Sequence, residues 1–303
     1  MGLTSVLLGR DEVREEIRLR LSGVPGMTVV GLPGYGKTQL IMHLVGELAD
    51  CPYVQFAFLD GKGGPDYDDV APRAFVHLGD DIKEALELVR YLYELMQQRQ
   101  GALREHLGVK NLWHVGPSAL WPLIVLVVDE AHTFFYTGKG TTREEAAAAH
   151  ELVRLIEQLV KKGRNVGFFT VLLTQKGTGD AIPTQIRDVC TLKVAFAVAT
   201  MEAADAGLGQ AIRMYPDAHP MFLQDPKYIG VATIAREGAK GFTRVRIPTV
   251  DEDAVAERAH KYRFLASDPA GLFDVACRTL GSPGPVPLPV PDVDADDGAD
   301  LVA

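Results

Sequence analysis

The chain has 303 residues, of which 47% are apolar, and a formal net charge of −9. This length suits one large α/β domain, or one domain with a small appendage, and the apolar content is enough for a sizeable core. No apolar run reaches the roughly 18–20 residues that a membrane-spanning helix needs, so we expect no membrane segment of its own.

Cysteine usage and the chain start also limit the class of protein. Cys51, Cys190 and Cys277 are far apart and odd in number, which fits neither a disulfide framework nor a zinc site. No basic stretch followed by an apolar run opens the chain, so we expect no signal peptide and a cytoplasmic location. The acidic balance does not indicate nucleic-acid binding, although a few basic residues lining a pore would not show in the net charge.

Short apolar runs alternate along the chain with stretches of helical periodicity. The runs that predict strands are residues 27–31, 53–59, 123–128, 168–173 and 192–198. Helices are predicted over residues 39–49, 82–96 and 152–160 from their apolar stripes. An all-apolar strand such as 123–128 is typical of a parallel sheet covered on both faces. The alternation predicts an α/β fold with a mostly parallel, doubly wound sheet flanked by helices.

A glycine-rich loop follows the first predicted strand. Residues 31–38 match G-x-x-x-x-G-K-[ST], in which backbone N–H groups and the positive end of the next helix hold phosphates. Lys37 would reach the β- and γ-phosphates, and the Thr38 hydroxyl would coordinate Mg²⁺. ATP and Mg²⁺ are therefore the predicted cofactors. The predicted nucleotide-binding residues are Gly31, Pro33, Gly34, Tyr35, Gly36, Lys37, Thr38 and Gln39.

Two acidic residues, Asp129 and Glu130, end the apolar strand 123–128. A carboxylate at the end of a buried strand is costly unless it has a partner, and Mg²⁺ is the natural one for Asp129. Glu130 is placed to polarise the attacking water. The alternative is an ordinary strand-ending acidic pair. Residues 129–132 also spell the signature of a large helicase class, but the remaining length leaves no room for the second ATPase lobe that those helicases need.

Three further residues are candidates for a role in hydrolysis. Gln175 ends the strand 168–173 with Thr174, where a polar side chain can sense the γ-phosphate through a bound water. Arg164 precedes that strand and Arg187 follows it, and either could enter a neighbouring subunit's site. The alternatives are a simple polar strand end and arginines solvated at the surface. The predicted catalytic set is Lys37, Glu130, Gln175 and Arg164.

The turn after the second predicted strand, residues 60–64, reads Asp-Gly-Lys-Gly-Gly. A turn of this composition at the carboxyl edge of the sheet lies near the nucleotide crevice. Taken alone it is a weak signal.

In their order, these segments resemble the motor domain of the FtsK/SpoIIIE family of double-stranded DNA translocases. Residues 58–62 are similar to its apolar-Asp-Pro-Lys turn, residues 94–99 to its helix ending in Glu-Met-x-x-Arg, and residues 164–175 to its strand ending in Ala-Thr-Gln. The resemblance runs from about residue 9 to about residue 248. Two departures are Lys176-Gly177, where the family has Arg-Pro, and the stretch near Asp205, where it has Asp-Ser-Arg.

The resemblance implies a RecA-like P-loop NTPase that forms a homo-hexamer around double-stranded DNA, with an arginine from the next subunit at each ATP. The chain is most similar to short stand-alone versions on actinobacterial mobile elements, which implies a role in conjugative transfer and possible recruitment by a membrane protein. On this interpretation residues 1–26 are a lead-in segment, 27–250 the motor domain, 251–281 C-terminal helices and 282–303 a disordered acidic, proline-rich tail.

Rival interpretations remain at this point. A regulatory ATPase switch is suggested by Gly9-Arg10 ahead of the loop, but it would need a helical lid and a winged helix. A protein that binds ATP without hydrolysing it would not need Asp129 and Glu130. A motor of the same kind could also act on a protein partner, and the sequence does not separate that cargo from DNA.

Overall fold

The computed structural model describes residues 3–177, 181–235 and 241–279, and their strands form one ten-stranded sheet in the order β2-β1-β10-β9-β8-β3-β7-β6-β4-β5. The strands are β1 (Ser5–Asp11), β2 (Glu16–Arg20), β3 (Gly26–Val30), β4 (Val54–Asp60), β5 (Ala74–Leu78), β6 (Leu123–Asp129), β7 (Phe168–Thr174), β8 (Leu192–Ala195), β9 (Val231–Ala235) and β10 (Phe242–Arg246). The helices are α1 (Lys37–Leu48), α2 (Ile82–Leu107), α3 (His132–Phe135), α4 (Arg143–Gly163), α5 (Thr184–Arg187), α6 (Met201–Leu208), α7 (Glu252–Lys261) and α8 (Pro269–Thr279).

The parallel part of the sheet runs from β5 through β4, β6, β7 and β3 to β8. Every residue of β4, β6 and β7 is buried, which is why their sequences read as continuous apolar runs. The predicted α/β fold with a mostly parallel sheet is confirmed. Short apolar segments that the sequence interpretation did not single out form β5, β9 and β10.

The other part of the sheet is antiparallel and includes the start of the chain. β9 pairs with β8, β10 with β9, β1 with β10, and β2 with β1. By sequence alone, residues 13–21 fit either a helix, through Val13, Ile17 and Leu21, or a strand in which apolar and charged residues alternate. The structure contains strand β2 there. In β2 Leu19 is buried while Glu16 and Arg18 are exposed, so alternation across the sheet explains the pattern better than a helical stripe.

Successive residues of the central strands point to opposite faces, and each face has its own core. On β6, Ile124 and Leu126 pack with α2, α4 and α8, while Val125 and Val127 pack with α1 and α7. The layers therefore follow the doubly wound arrangement, which places the carboxyl ends of the parallel strands along one open edge.

Arg99, near the end of α2, is a buried charged residue that ties the helix to the sheet. Its Nη1 donates to the carbonyl of Pro122 at 2.8 Å and to that of Val166 at 3.3 Å, and its guanidinium lies over the Trp121 and Phe168 rings. Burial lowers the pKa of Arg99 to about 9. Arg99, the last residue of the motif at residues 94–99, thus links α2 to the segments that precede β6 and β7.

A capping box starts α4. The Thr142 hydroxyl accepts a bond from the Glu145 N–H, and the Glu145 carboxylate accepts one from the Thr142 N–H. We expect Thr142→Ala to lower the free energy of unfolding by about 1 kcal/mol, because the Glu145 N–H loses its acceptor and the Glu145 carboxylate loses the bond from the Thr142 hydroxyl. Urea unfolding measures this, with Thr142→Ser as the matched control that keeps the hydroxyl. The assignment of the capping box would be contradicted if Thr142→Ala were as stable as wild type, or if Thr142→Ser lost as much unfolding free energy as Thr142→Ala.

No helix within the described ranges is long and apolar enough to cross a membrane. The predicted tail, residues 282–303, lies outside the described residues. The division of the chain into lead-in, motor domain and C-terminal helices remains a prediction.

Candidate functional site

The glycine-rich loop connects the carboxyl end of β3 to the first residue of α1. Gly36 precedes that helix with φ 110°, in the left-handed region, and a Cβ there would lie 3.2 Å from both Gly230 Cα and Phe196 Cε1. Only glycine fits this position without strain. No side chain caps the helix, so the backbone N–H groups of its first turn are free to bind an anion such as a phosphate.

Lys37 is folded back onto the loop. Its Nζ donates to the carbonyls of Gly31 at 2.7 Å and Leu32 at 2.9 Å, and the residue is 5% exposed. Burial, and after it the charge of Lys62, lower the pKa of Lys37 to about 8, against the opposing effect of Asp129 and Glu130. An ammonium held this way beside a helix N-terminus forms a concentrated positive site for phosphate.

Most of the predicted nucleotide-binding residues line one open cleft of about 470 Å³ at this edge of the sheet. The lining consists of Pro33, Gly34, Gly36, Lys37, Thr38, Gln39, Lys62, Asp66, Gln175, Ile229 and Glu252. Gly31 faces an adjoining cleft that Gln175 also lines. Tyr35 points elsewhere, since its hydroxyl donates to the Gln224 carbonyl at 2.5 Å. Tyr35 therefore anchors the loop through its side chain instead of lining the cleft.

Asp129 ends β6 and is 1% exposed, but each of its oxygens has partners. Oδ1 accepts the Glu130 N–H at 2.8 Å, and Oδ2 accepts the Tyr67 hydroxyl at 3.0 Å. The Lys62 ammonium lies 3.0 Å from the same Oδ2. The negative charge of Asp129 at the end of β6 is thus paired with Lys62, which lies in the turn after the neighbouring strand β4.

Glu130 has φ 46°, an uncommon backbone conformation for a residue with a side chain. Its carboxylate accepts the Gln175 N–H at 3.0 Å and the Thr174 hydroxyl at 3.3 Å. The structure therefore brings Glu130 and the end of β7 together, because β6 and β7 are parallel neighbours in the sheet. Gln175 lines the cleft.

The two candidate arginines lie outside the cleft of their own chain. Arg164 is exposed at the amino end of β7, the opposite edge of the sheet, where its carbonyl accepts the Trp113 indole N–H at 2.8 Å. Arg187 donates to the Ala206 carbonyl at 2.8 Å and to the Thr184 hydroxyl at 2.9 Å. Neither placement tests a role in a neighbouring subunit, so the role of Arg164 stays a prediction.

Several residues of the site were not among the predicted site residues. Lys62 belongs to the glycine-rich turn that was only a weak signal, and Tyr67 gave no signal at all. Glu252 of α7 was also not predicted. Its carboxylate accepts a hydrogen bond from Gln39 Nε2, although the two residues are more than two hundred positions apart in the chain. Ile229, half exposed, adds an apolar surface beside the loop.

The residues present fit a magnesium ion that is shared with a nucleotide. A hydroxyl from Thr38 and a carboxylate from Asp129 are hard oxygen donors of the kind Mg²⁺ takes alongside phosphate oxygens and water. Asp129 Oδ2 already holds a cation, the Lys62 ammonium. Within residues 3–177, 181–235 and 241–279 no group of three or more His, Cys, Asp or Glu could hold a metal, so a site built from protein ligands alone is not seen there.

The sequence profile of the FtsK/SpoIIIE family matches residues 2–119. The chain is 26% identical over 232 residues to the DNA translocase FtsK of Vibrio vulnificus, which covers 65% of this chain and 22% of that protein. The chain thus spans less than a quarter of the length of this relative.

Two solved structures share the fold. The pCW3 conjugation coupling protein TcpA, in its monomer form with ATPγS, superposes with a TM-score of 0.69 at 19% identity, covering 86% of this chain and 70% of that one. ATPases 2 and 3 of Thermomonospora curvata EccC, in complex with a signal sequence peptide, give a TM-score of 0.61 at 22% identity, covering 88% and 48%. The chain has the RecA-like P-loop fold of these ATPases, and the predicted resemblance to the FtsK/SpoIIIE family is confirmed.

Proposed function

We propose that this chain is an ATP hydrolase that moves double-stranded DNA, in the transfer of a mobile genetic element. The observation that carries the proposal is the convergence of a phosphate-binding loop, a buried Asp129 and a Glu130 tied to the end of β7 at one edge of the sheet. Similarity to DNA translocases supports the choice of cargo.

In this proposal each residue has a defined task. The backbone N–H groups of residues 34–39 and the Lys37 ammonium bind the phosphates of ATP, and Thr38 and Asp129 would hold Mg²⁺, which neutralises phosphate charge when it is bound. Glu130 accepts the proton of the attacking water, and Gln175 senses the γ-phosphate.

The proposal extends to the assembly. A homo-hexamer would place Arg164 of one subunit at the ATP of its neighbour, where an arginine stabilises the charge of the transition state. DNA would pass through the centre of the ring and be contacted at its phosphates, which carry little sequence information. We propose that the ring works in the cytoplasm, where a membrane protein can recruit it.

Steady-state ATP hydrolysis with and without long double-stranded DNA tests the cargo. We expect stimulation that falls steeply as salt rises, because contacts to DNA phosphates release counterions. A duplex too short to thread a ring is the matched control and should stimulate less per base pair. Hydrolysis that is indifferent to DNA at low salt would overturn the DNA motor.

The second candidate is a motor of the same chemistry that acts on a protein. It is favoured by the fold shared with EccC, whose structure contains a signal sequence peptide, and by a net charge of −9, which does not attract DNA. In the same assay, a hydrolysis rate that responds to a protein partner and not to DNA would select this candidate.

A further inference from the structure

The turn after β4 is built to aim one lysine at Asp129. Asp60, 1% exposed, lies beside Asp129 in the register of β4 with β6, and its carboxylate accepts the N–H groups of Lys62 and Gly64, each at 3.0 Å. The Gly61 N–H donates to the Asp129 carbonyl at 3.0 Å. A Cβ on Gly61 would lie 2.8 Å from the Asp129 and Glu130 carbonyl oxygens, so the turn sits tightly against the end of β6.

This turn leaves the Lys62 ammonium between two carboxylates. Its Nζ lies 3.0 Å from Asp129 Oδ2 and 2.9 Å from Asp66 Oδ2, and the side chain is 23% exposed. Burial opposes the charge, but the carboxylates of Asp129 and Asp66 outweigh it and raise the pKa of Lys62. Lys62 also lines the same cleft as Lys37 and Thr38, the residues proposed to bind phosphate and metal.

We propose that Lys62 is a positioning residue that neutralises Asp129 while the metal site is empty and is exchanged for Mg²⁺ when the metal binds. This inference rests on the proposed function for its view of Asp129 as the metal ligand. The exchange follows from the occupancy of Asp129: Oδ1 takes the Glu130 N–H, and Oδ2 takes both the Tyr67 hydroxyl and the Lys62 ammonium.

A metal ion and an ammonium cannot share Oδ2 at close range, because two cations in a partly buried cleft repel each other strongly. Asp66 offers the displaced ammonium a second carboxylate at the same turn. Lys62 therefore need not cross the cleft. It orients Asp129 for the metal, and it makes binding of a metal without nucleotide unfavourable.

The test is Mn²⁺ binding to the protein without nucleotide, measured from the electron paramagnetic resonance signal of free Mn²⁺. We expect Lys62→Met to bind Mn²⁺ at least about tenfold more tightly than wild type, because the competing charge is gone. Lys62→Arg should stay as weak as wild type. Lys83→Met is the matched control, since Lys83 is an exposed lysine 3.9 Å from the Glu144 carboxylate.

The double variant Lys62→Met with Asp129→Asn locates the effect. It removes both charges of the pair, so it should fold and should lose the gain in Mn²⁺ affinity. The single variant leaves the buried Asp129 carboxylate without the Lys62 ammonium, and we expect a lower melting temperature that Mn²⁺ restores. Unchanged affinity in Lys62→Met, an equal gain in Lys62→Arg, or a gain that survives Asp129→Asn would each overturn the proposal.

These measurements are independent of hydrolysis and of DNA. If the Lys62 variants change Mn²⁺ affinity as expected but ATP hydrolysis does not respond to DNA, the assignment of DNA as the cargo fails and the role of Lys62 stands. If hydrolysis is stimulated by DNA and Lys62→Met binds Mn²⁺ no better than wild type, the motor stands and the exchange proposal falls.

Discussion

Lys37→Ala is expected to abolish steady-state ATP hydrolysis, a fall of at least about a hundredfold from the loss of one fixed positive donor. In the structure the Lys37 ammonium lies within the loop, held by the Gly31 and Leu32 carbonyls, and it is buried and close to the start of α1. Alanine removes the only loop side chain that carries a positive charge, while the backbone N–H groups of the loop remain.

The same variant needs a stability measurement, because Lys37 also holds the loop together through the Gly31 and Leu32 carbonyls. Thermal unfolding without nucleotide shows whether the fold survives, and binding of a fluorescent ATP analogue shows how much affinity the backbone alone provides. Lys83→Ala, an exposed lysine on α2, is the matched control. Hydrolysis close to wild type in purified, folded Lys37→Ala would remove the loop from the proposed active site.

The parts of the site that the sequence predicted are those whose signal is local. The loop 31–38 is recognised because glycine, lysine and threonine must occur at fixed spacing between a strand and a helix, and all of this falls within a short stretch. Asp129 and Glu130 stand out because charged residues rarely follow a strand buried along its whole length. The parallel sheet follows from the same apolar runs.

The parts that the sequence did not predict are contacts between distant segments. Tyr67 and Lys62 meet Asp129 because β4 and β6 are neighbours in the sheet, a fact that no window of sequence contains. Glu252 reaches Gln39 only after α7 packs on α1. Their residue types are ordinary for a loop and a helix start, so local patterns gave no reason to select them.

The antiparallel half of the sheet was missed for a related reason. β9 and β10 are five residues each, and the last two residues of β9 and the first three of β10 are only partly buried, which weakens the apolar signal. β2 was ambiguous because five residues with alternating charge also fit a helix. Their pairing with β1 and β8, not their own composition, stabilises them as strands.

Glu130→Gln is expected to retain ATP binding and to lower hydrolysis by at least about a hundredfold, because a neutral amide cannot accept a proton from the attacking water. The substitution keeps size and shape. Its amide oxygen can still accept the Gln175 N–H that Glu130 accepts at 3.0 Å, so the end of β7 and the φ of 46° should be preserved. A large effect on turnover with little effect on structure is thus expected.

The decisive comparison is ATP affinity against turnover on the same preparation. Glu144→Gln is the matched control, since Glu144 is an exposed carboxylate on α4 far from the loop in sequence. If Glu130→Gln hydrolyses ATP at nearly the wild-type rate, another group must activate the water, and Glu130 would then be a structural link between β6 and β7. If instead binding is lost together with hydrolysis, the carboxylate charge itself shapes the empty cleft. That result would also move the proposed general base away from Glu130.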